Sequence, residues 1–268
     1  MRSHNASARM DLHAVIMDFD GIVVDTEGPI YLAWAEQFEK YDIAPPSMQE
    51  WALEIGTIGG LDLVGMVRKR ASAAVRERID PTFIVDTVRK RRDDLLAGAR
   101  LMPGVLCWLD DAKRAGIPLA VASSSGTEWV RGHLDSLGIL DRFDWISCAN
   151  QPATSQRPVQ APLGEGLRAK PAPDTYLDAC RALAVEPSNA MAVEDSPNGI
   201  AAAKSAGLKC LAVPHDLTRC LDLSEADSIL ESLASRTLHS AASLLGFAVG
   251  SKSPSAPLSR GKAAGSCP

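Results

Sequence analysis

Short apolar runs separated by helical patterns constrain the fold of this chain more than any other feature of its sequence. Five runs have the length and composition of buried strands, at residues 13–17, 117–122, 144–148, 190–193 and 208–213. Between these runs, apolar residues recur at helical spacing, for example at Val105, Leu109 and Ala112. Because strands that alternate with helices form parallel sheets covered on both faces, the pattern predicts an α/β fold with a Rossmann-like parallel sheet core.

Glycines and one serine-proline pair mark the ends of the predicted helices. Gly116, Gly138 and Gly207 each precede a new apolar run, which is typical of the left-handed residue that ends a helix. Ser196 is a candidate N-cap, and Pro197 suits the first helical position because its missing N–H is not needed there.

Residues 25–100 have a different pattern, with successive amphipathic helices and no predicted strand. The four apolar stripes are Ile30-Trp34-Phe38, Trp51-Ile55, Leu61-Val64-Val67 and Ile84-Val88-Leu95. Ser47 and Glu50 form a capping-box pattern at the start of the second helix. We therefore expect an α-helical cap domain over 25–100, inserted after the first strand of a core that comprises 11–24 and 101–250.

The composition is that of a globular protein and argues against several classes of partner. Of the 268 residues, 46% are hydrophobic and 23% are charged, and 28 basic against 33 acidic residues give a net charge of −5. This balance argues against a nucleic-acid partner. No apolar run reaches the roughly 18 residues of a membrane span, and residues 1–10 lack the apolar core of a secretion signal. We therefore expect a cytoplasmic protein without a membrane partner, and its oligomeric state is left open.

Two segments have no helical or strand periodicity. Residues 251–268 are rich in Ser, Pro and Gly, and this composition predicts a disordered tail. Residues 151–169 contain three prolines. A loop of that length inside a compact domain is either a mobile element near a site or a sign that elements have been assigned wrongly.

Polar residues with catalytic potential lie at the ends of the predicted strands. They are Asp18 and Asp20 after the first strand, Ser123 and Ser124 after the second, Glu194 and Asp195 after the run at 190–193, and Lys170 in the stretch Lys-Pro-Ala-Pro-Asp. Each group taken alone also fits a turn, a helix cap or a solvated surface lysine.

Taken together, these groups are expected to lie close to one another, because the carboxyl ends of parallel strands meet at one edge of a sheet. Asp18 and Asp195 can then share a hard divalent cation, and Mg²⁺ fits an oxygen site that also takes water and phosphate. The cation and Lys170 would offset the repulsion between an anionic aspartate and an anionic phosphoryl group. The set therefore predicts phosphoryl-transfer chemistry.

The same motifs resemble those of the haloacid dehalogenase superfamily, in particular its members with a helical cap after the first strand, such as β-phosphoglucomutase and small sugar-phosphate phosphatases. The resemblance covers about residues 13–245. It rests on DFDGIVVDTE from Asp18, VASSSG around Ser123, KPAPD from Lys170 and VEDSPNGI around Asp195.

The resemblance implies a role for each matching residue. Asp18 would be the nucleophile that forms an aspartyl-phosphate, and Asp20 the general acid and base, whose backbone carbonyl also binds Mg²⁺. The other implied roles are phosphate binding by Ser123 and Lys170 with Ser124 nearby, Mg²⁺ ligation by Asp195, and ligation or support of the ligands by Glu194.

The resemblance also separates activities within the superfamily. Dehalogenases and phosphonate hydrolases lack an acid at the position of Asp20, whereas phosphatases and mutases need it to protonate the leaving oxygen. The similar mutases carry an arginine in the cap, whereas residues 41–67 contain no Lys or Arg. The expected activity is Mg²⁺-dependent hydrolysis of a small phosphorylated metabolite, such as a sugar phosphate. A phosphosugar mutase and a non-catalytic protein that binds phosphate and Mg²⁺ are the alternatives.

Overall fold

A computed structural model describes residues 10–52, 55, 61–149 and 166–250. The strands are β1 (Met10–Asp11), β2 (Ala14–Met17), β3 (Leu119–Ser123), β4 (Trp145–Cys148), β5 (Ala190–Glu194), β6 (Lys209–Ala212), β7 (Ser228–Ile229) and β8 (Phe247–Ala248). The α-helices are α1 (Glu27–Lys40), α2 (Met48–Ala52), α3 (Leu63–Arg70), α4 (Ala73–Arg76), α5 (Pro81–Leu96), α6 (Val105–Ala115), α7 (Thr127–Ser136), α8 (Asp174–Ala182), α9 (Pro197–Ser205) and α10 (Leu238–Leu244). The expected tail at 251–268, and residues 151–165 of the expected loop, lie outside the described ranges.

Six parallel strands form the central sheet in the order β4-β3-β2-β5-β6-β7. All five apolar runs identified in the sequence form strands of this sheet, so the α/β prediction is confirmed. The strand β2 lies at the centre between β3 and β5, and its four residues are all buried. The short strands β1 and β8 pair in parallel as a separate sheet.

The two faces of the sheet pack against different helices. Val15 and Met17 of β2 face a cluster that includes Trp108 of α6, whereas Ala14 and Ile16 face a cluster that includes Tyr176 of α8. This division follows from the alternation of side chains along a strand. Burial on both faces explains why the central strands are continuous apolar runs.

The predicted helix ends are also observed. Gly116, Gly138 and Gly207 have φ values of 64°, 67° and 89°, in the left-handed region that favours glycine. Ser196 caps α9, since its side chain accepts a hydrogen bond from the backbone N–H of Gly199 at 3.2 Å. Pro197 is the first residue of that helix.

Helices α1 to α5 form an inserted α-helical cap with its own apolar cluster. Phe38, Trp51, Val67 and Ile84 are buried in this cluster, and Leu217 joins it from the segment after β6. Ser47 and Glu50 form the predicted capping box, with backbone-to-side-chain distances of 2.8 and 3.2 Å. The short helix α4 has no counterpart among the predicted stripes, and the domain boundaries at 25 and 100 stay predictions.

The two segments that connect the core and the cap are paired with each other. Val24 and Leu101 form an antiparallel bridge, and the backbone N–H of Met102 donates to the carbonyl of Val23 at 2.9 Å. The two segments that connect the core and the cap therefore lie side by side and are held together by backbone hydrogen bonds. Over the described part of the chain, every helix is too short or too polar to cross a membrane.

Candidate active site

The predicted site residues meet at the carboxyl end of the central sheet. Asp18 and Asp20 follow β2, Ser123 ends β3, Glu194 ends β5 with Asp195 next, and Lys170 lies in the turn before α8. The backbone N–H of Asp18 donates to the carbonyl of Val193 at 2.9 Å, which ties the first acidic turn to the second. Sheet order thus brings together groups that are far apart in the sequence.

A buried ion-pair network joins Lys170 to two acidic residues. Its Nζ lies 2.5 Å from Asp18 Oδ1 and 2.6 Å from Glu194 Oε1. The hydroxyl of Tyr176, in the first turn of α8, donates to the same Glu194 oxygen at 2.5 Å. Glu194 therefore orients the ammonium of Lys170 toward Asp18. Sequence reasoning missed Tyr176, because a tyrosine on an apolar helix face reads as a core residue.

Burial changes the protonation of this network. Burial raises the pKa of Asp18 well above its usual value, although the charge of Lys170 opposes the shift. Burial lowers the pKa of Lys170, but the charges of Asp18 and Glu194 outweigh it and the pKa is raised overall. Lys170 is therefore a permanent ammonium, and Asp18 needs positive charge nearby to be an anionic nucleophile.

The site offers a set of ligand atoms that fits a hard cation. Carboxylate oxygens of Asp18, Glu194 and Asp195 all lie within 4.8 Å of one another. Asp195 Oδ1 is buried and finds no hydrogen-bond partner among the described residues. When ionised, three carboxylates beside one ammonium leave an excess of two negative charges, which a divalent ion would balance. An all-oxygen donor set with a free buried lone pair fits Mg²⁺.

The Asp20 side chain makes different contacts and is not part of this carboxylate group. Its Oδ1 accepts hydrogen bonds from Thr26 Oγ1 at 2.6 Å and Trp129 Nε1 at 3.1 Å. Its Oδ2 accepts from Ser125 Oγ at 2.7 Å and Ser123 Oγ at 3.3 Å. Metal binding by its backbone carbonyl stays a prediction.

The serines after β3 have separate contacts. Ser123 is fully buried, and its Oγ accepts the backbone N–H of Ser125 at 2.9 Å while it donates to Asp20. Ser124 Oγ accepts the backbone N–H of Lys170 at 3.2 Å. Ser124 thus ties the lysine turn to the end of β3, whereas Ser123 faces the acidic turn.

His215, in the segment after β6, is a site residue that sequence reasoning missed. Its Nε2 lies 2.9 Å from Asp195 Oδ2. Burial lowers the pKa of His215, but the hydrogen bond to Asp195 reverses the shift and the pKa is raised. Gly21 makes room for this contact, because a Cβ there would lie 2.5 Å from Asp195 Oδ2 and its φ is +86°. The only signal for His215 was its position in the chain. It follows the strand β6, which lies next to β5, and the carboxyl end of β6 is beside Asp195.

Two contacts join the cap to this edge of the core, and a hydrogen bond between two cap residues lies near Asp20. Glu27, the first residue of α1, accepts a hydrogen bond from Trp51 Nε1 at 3.4 Å. Burial raises the pKa of Glu27 to about 7, and the charge of Asp20 adds to the shift. The two contacts between cap and core are Asn198 Nδ2 to the Ile55 carbonyl at 3.2 Å, and the Arg92 guanidinium 4.9 Å from the Trp129 ring centroid.

Comparison with known protein families gives one match that covers most of the chain. A family model described as haloacid dehalogenase-like hydrolase matches residues 12–207. This range includes β2 with its acidic turn, the cap, Lys170 and the turn after β5.

Individual relatives match over nearly their full lengths. YhcW of Bacillus subtilis (strain 168), which is named as a phosphatase, is 33% identical over 85% of this chain and 94% of its own. The protein CbbY of Cereibacter sphaeroides is 31% identical over 83% of this chain and 93% of its own. A crystal structure of CbbY from Rhodobacter sphaeroides in complex with phosphate has a TM-score of 0.60 at 29% identity, and covers 83% of this chain and 95% of that one.

Proposed function

Because the chain belongs to the haloacid dehalogenase-like hydrolase family and is a phosphoric monoester hydrolase, we propose that it hydrolyses a small phosphate monoester through an aspartyl-phosphate on Asp18. One observation carries this proposal: the buried contact of 2.5 Å between Lys170 Nζ and Asp18 Oδ1, beside the carboxylates of Glu194 and Asp195. A buried carboxylate that faces an ammonium is suited to attack an anionic phosphoryl group, because the ammonium neutralises charge on both.

In the first step, an Asp18 carboxylate oxygen attacks the phosphorus atom and the bond from phosphorus to the ester oxygen breaks. Asp20 gives its proton to the departing oxygen, which leaves as an alcohol. Lys170 and Ser123 hold the phosphoryl oxygens during the transfer. The first step leaves phosphate covalently bound to Asp18 and leaves Asp20 as a carboxylate.

In the second step, Asp20 takes a proton from a water molecule as the water oxygen attacks the phosphorus. The bond between phosphorus and Asp18 breaks, inorganic phosphate forms, and both aspartates return to their starting states. The two steps therefore need one residue that alternates between acid and base and another that is only a nucleophile.

Asp18 and Asp195, with the Asp20 carbonyl and with Glu194 as a ligand or as support, would hold Mg²⁺. When bound, Mg²⁺ supplies positive charge that offsets the negative charge of the reacting groups. Glu194 also has a second function in this proposal, because it fixes Lys170 through the contact of 2.6 Å.

A sugar phosphate or similar metabolite is the proposed substrate class. The support is likeness to CbbY, whose structures include a complex with phosphate and a complex with xylulose 1,5-bisphosphate. Hydrolysis is proposed over mutation because residues 41–67 of the cap contain no Lys or Arg to hold a second phosphate.

Phosphate release from a panel of phosphate monoesters, with Mg²⁺ and with EDTA, tests the proposal. Wild-type protein should release phosphate only with the metal, and Asp18→Asn should lower the rate at least about a thousandfold. Asp110→Asn, at an exposed aspartate paired with Arg142, is the matched control and should leave the rate unchanged. Conversion of a hexose 1-phosphate to the 6-phosphate would show that the protein is a mutase and not a hydrolase.

A further inference from the structure

Trp129 on α7 lies between the cap and the acidic turn after β2. Its indole N–H donates to Asp20 Oδ1 at 3.1 Å. The Arg92 guanidinium of α5 lies 4.9 Å from the indole centroid, and the His133 ring lies 4.3 Å away, centroid to centroid. The indole therefore contacts Arg92 of the cap and His133 of the core, and its N–H points at Asp20.

The hydrogen bonds to Asp20 differ in what they permit. Thr26, Ser123 and Ser125 bind Asp20 through hydroxyl groups, which can rotate and either donate or accept. An indole N–H can only donate. An oxygen of Asp20 that carries a proton can direct that proton to a hydroxyl oxygen but not to the indole nitrogen.

The consequence is an assignment of the proton to one oxygen. Oδ1 accepts from Trp129 whatever the orientation of the neighbouring hydroxyls, and an unprotonated carboxyl oxygen is a better acceptor than a protonated one. The proton therefore belongs on Oδ2, the oxygen that lies 3.3 Å from Ser123 Oγ at the end of β3. This is the side on which Ser123 would hold the phosphoryl group, so the proton is available next to the leaving oxygen.

We propose that Trp129 is a positioning residue that keeps the transferable proton of Asp20 on Oδ2, and that Arg92 makes this function depend on the position of the cap. The proposal rests on the proposed function, because it assumes that Asp20 protonates the leaving group. Arg92 is carried by α5, so its contact with the Trp129 ring is present only when the cap stands as it does here.

Comparison of two esters in Trp129→Phe tests the proposal. The variant keeps an aromatic ring and loses only the N–H donor. For an alkyl phosphate, whose alkoxide needs a proton to leave, kcat/KM should fall about tenfold or more. For 4-nitrophenyl phosphate, whose phenolate leaves without a proton, kcat/KM should stay within about twofold of wild type. A general loss of structure would lower both equally.

Trp145→Phe is the matched control, because Trp145 is a half-buried indole whose N–H donates to Asp178 at 3.0 Å, away from Asp20. Asp20→Asn is the reference variant, since the proposed function requires it to show the same preference between esters. If Asp20→Asn lowers kcat/KM for both esters equally, the proposed function fails, whereas kcat should fall for both because Asp20 also activates water in the second step. Suppose that Asp20→Asn shows the preference between esters but Trp129→Phe lowers kcat/KM for both esters equally, or for neither. The inference about Trp129 is then overturned, and the proposed function stands.

Arg92, whose side chain is partly buried and also pairs with Asp93, is tested by substitution. Arg92→Met should lower kcat/KM for the alkyl ester about threefold and spare the aryl ester, because a cation over an indole is a modest interaction. Arg92→Lys should restore most of the loss, and Arg89→Met, at an exposed arginine of the same helix, should cause none. In the Trp129→Phe background the Arg92 effect should vanish. Additive losses would overturn the link to the cap.

Discussion

Lys170 Nζ lies 2.5 Å from Asp18 Oδ1, although the two residues are 152 positions apart in the sequence. Both groups are buried, and Glu194 holds the lysine from its other side at 2.6 Å. This relationship gives the candidate nucleophile a fixed direction and a counter-charge. It is also a structural liability, because neither charge is solvated if the other is removed.

Lys170→Met should therefore destabilise the fold as well as abolish activity. Removal of one partner from a buried ion pair costs about 3–5 kcal/mol of the free energy of unfolding, and here it leaves two acids uncompensated. Urea denaturation at pH 7 without metal measures the loss. Lys204→Met, which breaks a more exposed pair with Asp227, is the control and should cost less than about 1 kcal/mol. Equal losses in the two variants would contradict the interpretation of Lys170.

His215→Gln should weaken Mg²⁺ binding and leave the fold intact. His215 contacts Asp195 Oδ2, which leaves Oδ1 free to bind the cation. Loss of a group that orients a metal ligand typically lowers affinity about 10- to 100-fold. Calorimetric titration with Mg²⁺ in the absence of substrate measures this directly. His239→Gln, at an exposed histidine of α10, should bind like wild type, and equal affinity in all three proteins would exclude the proposed function of His215.

Gly21→Ala should disturb the Asp195 carboxylate at its contact with His215. A methyl group at this position would lie 2.5 Å from Asp195 Oδ2, and the residue has φ +86°. The control is Gly116→Ala, which has φ +64° but no heavy atom within 4 Å of the added methyl group. Both variants should lose about 1 kcal/mol of stability from backbone strain. Only Gly21→Ala should also lose Mg²⁺ binding in the same titration.

Glu27 should make stability depend on pH. Because the pKa of Glu27 is raised from 4.5 to about 7 in the fold, the folded state holds its proton more tightly than the unfolded chain. Its contribution is therefore complete below pH 4.5 and is lost as the pH rises to about 7, with an upper limit of about 3 kcal/mol. The measurement is the difference in unfolding free energy between wild type and Glu27→Gln, in EDTA from pH 5 to 8. A difference that is constant over this range would refute the shift.

The strands and most of the site could be predicted because their signals are local. Central strands such as β2 and β5 are buried on both faces, so their sequences are continuous apolar runs with polar residues directly after them. The strands β1, β7 and β8 have two residues each, which is too short for any periodicity. The helix α4 is a single turn and has no buried residue, so it leaves no apolar stripe.

The contacts that complete the site depend on tertiary structure and have no local signature. Tyr176, Trp129 and His215 each lie on a helix or loop where one polar atom does not alter the apolar pattern. Their functions arise because α8, α7 and the segment after β6 all begin beside the same sheet edge. Only the strand order, which the sequence does not encode in any short pattern, brings His215 next to Asp195.

The bridge between Val24 and Leu101 has a consequence for how the cap can move. Two separate connections would let the cap slide or twist over the core, whereas two connections fastened together act as one pivot. We expect the cap to move by a hinge rotation about this point. The spacing of Val24 and Leu101 then stays constant during the rotation, whereas the distance between Arg92 of the cap and Trp129 of the core changes.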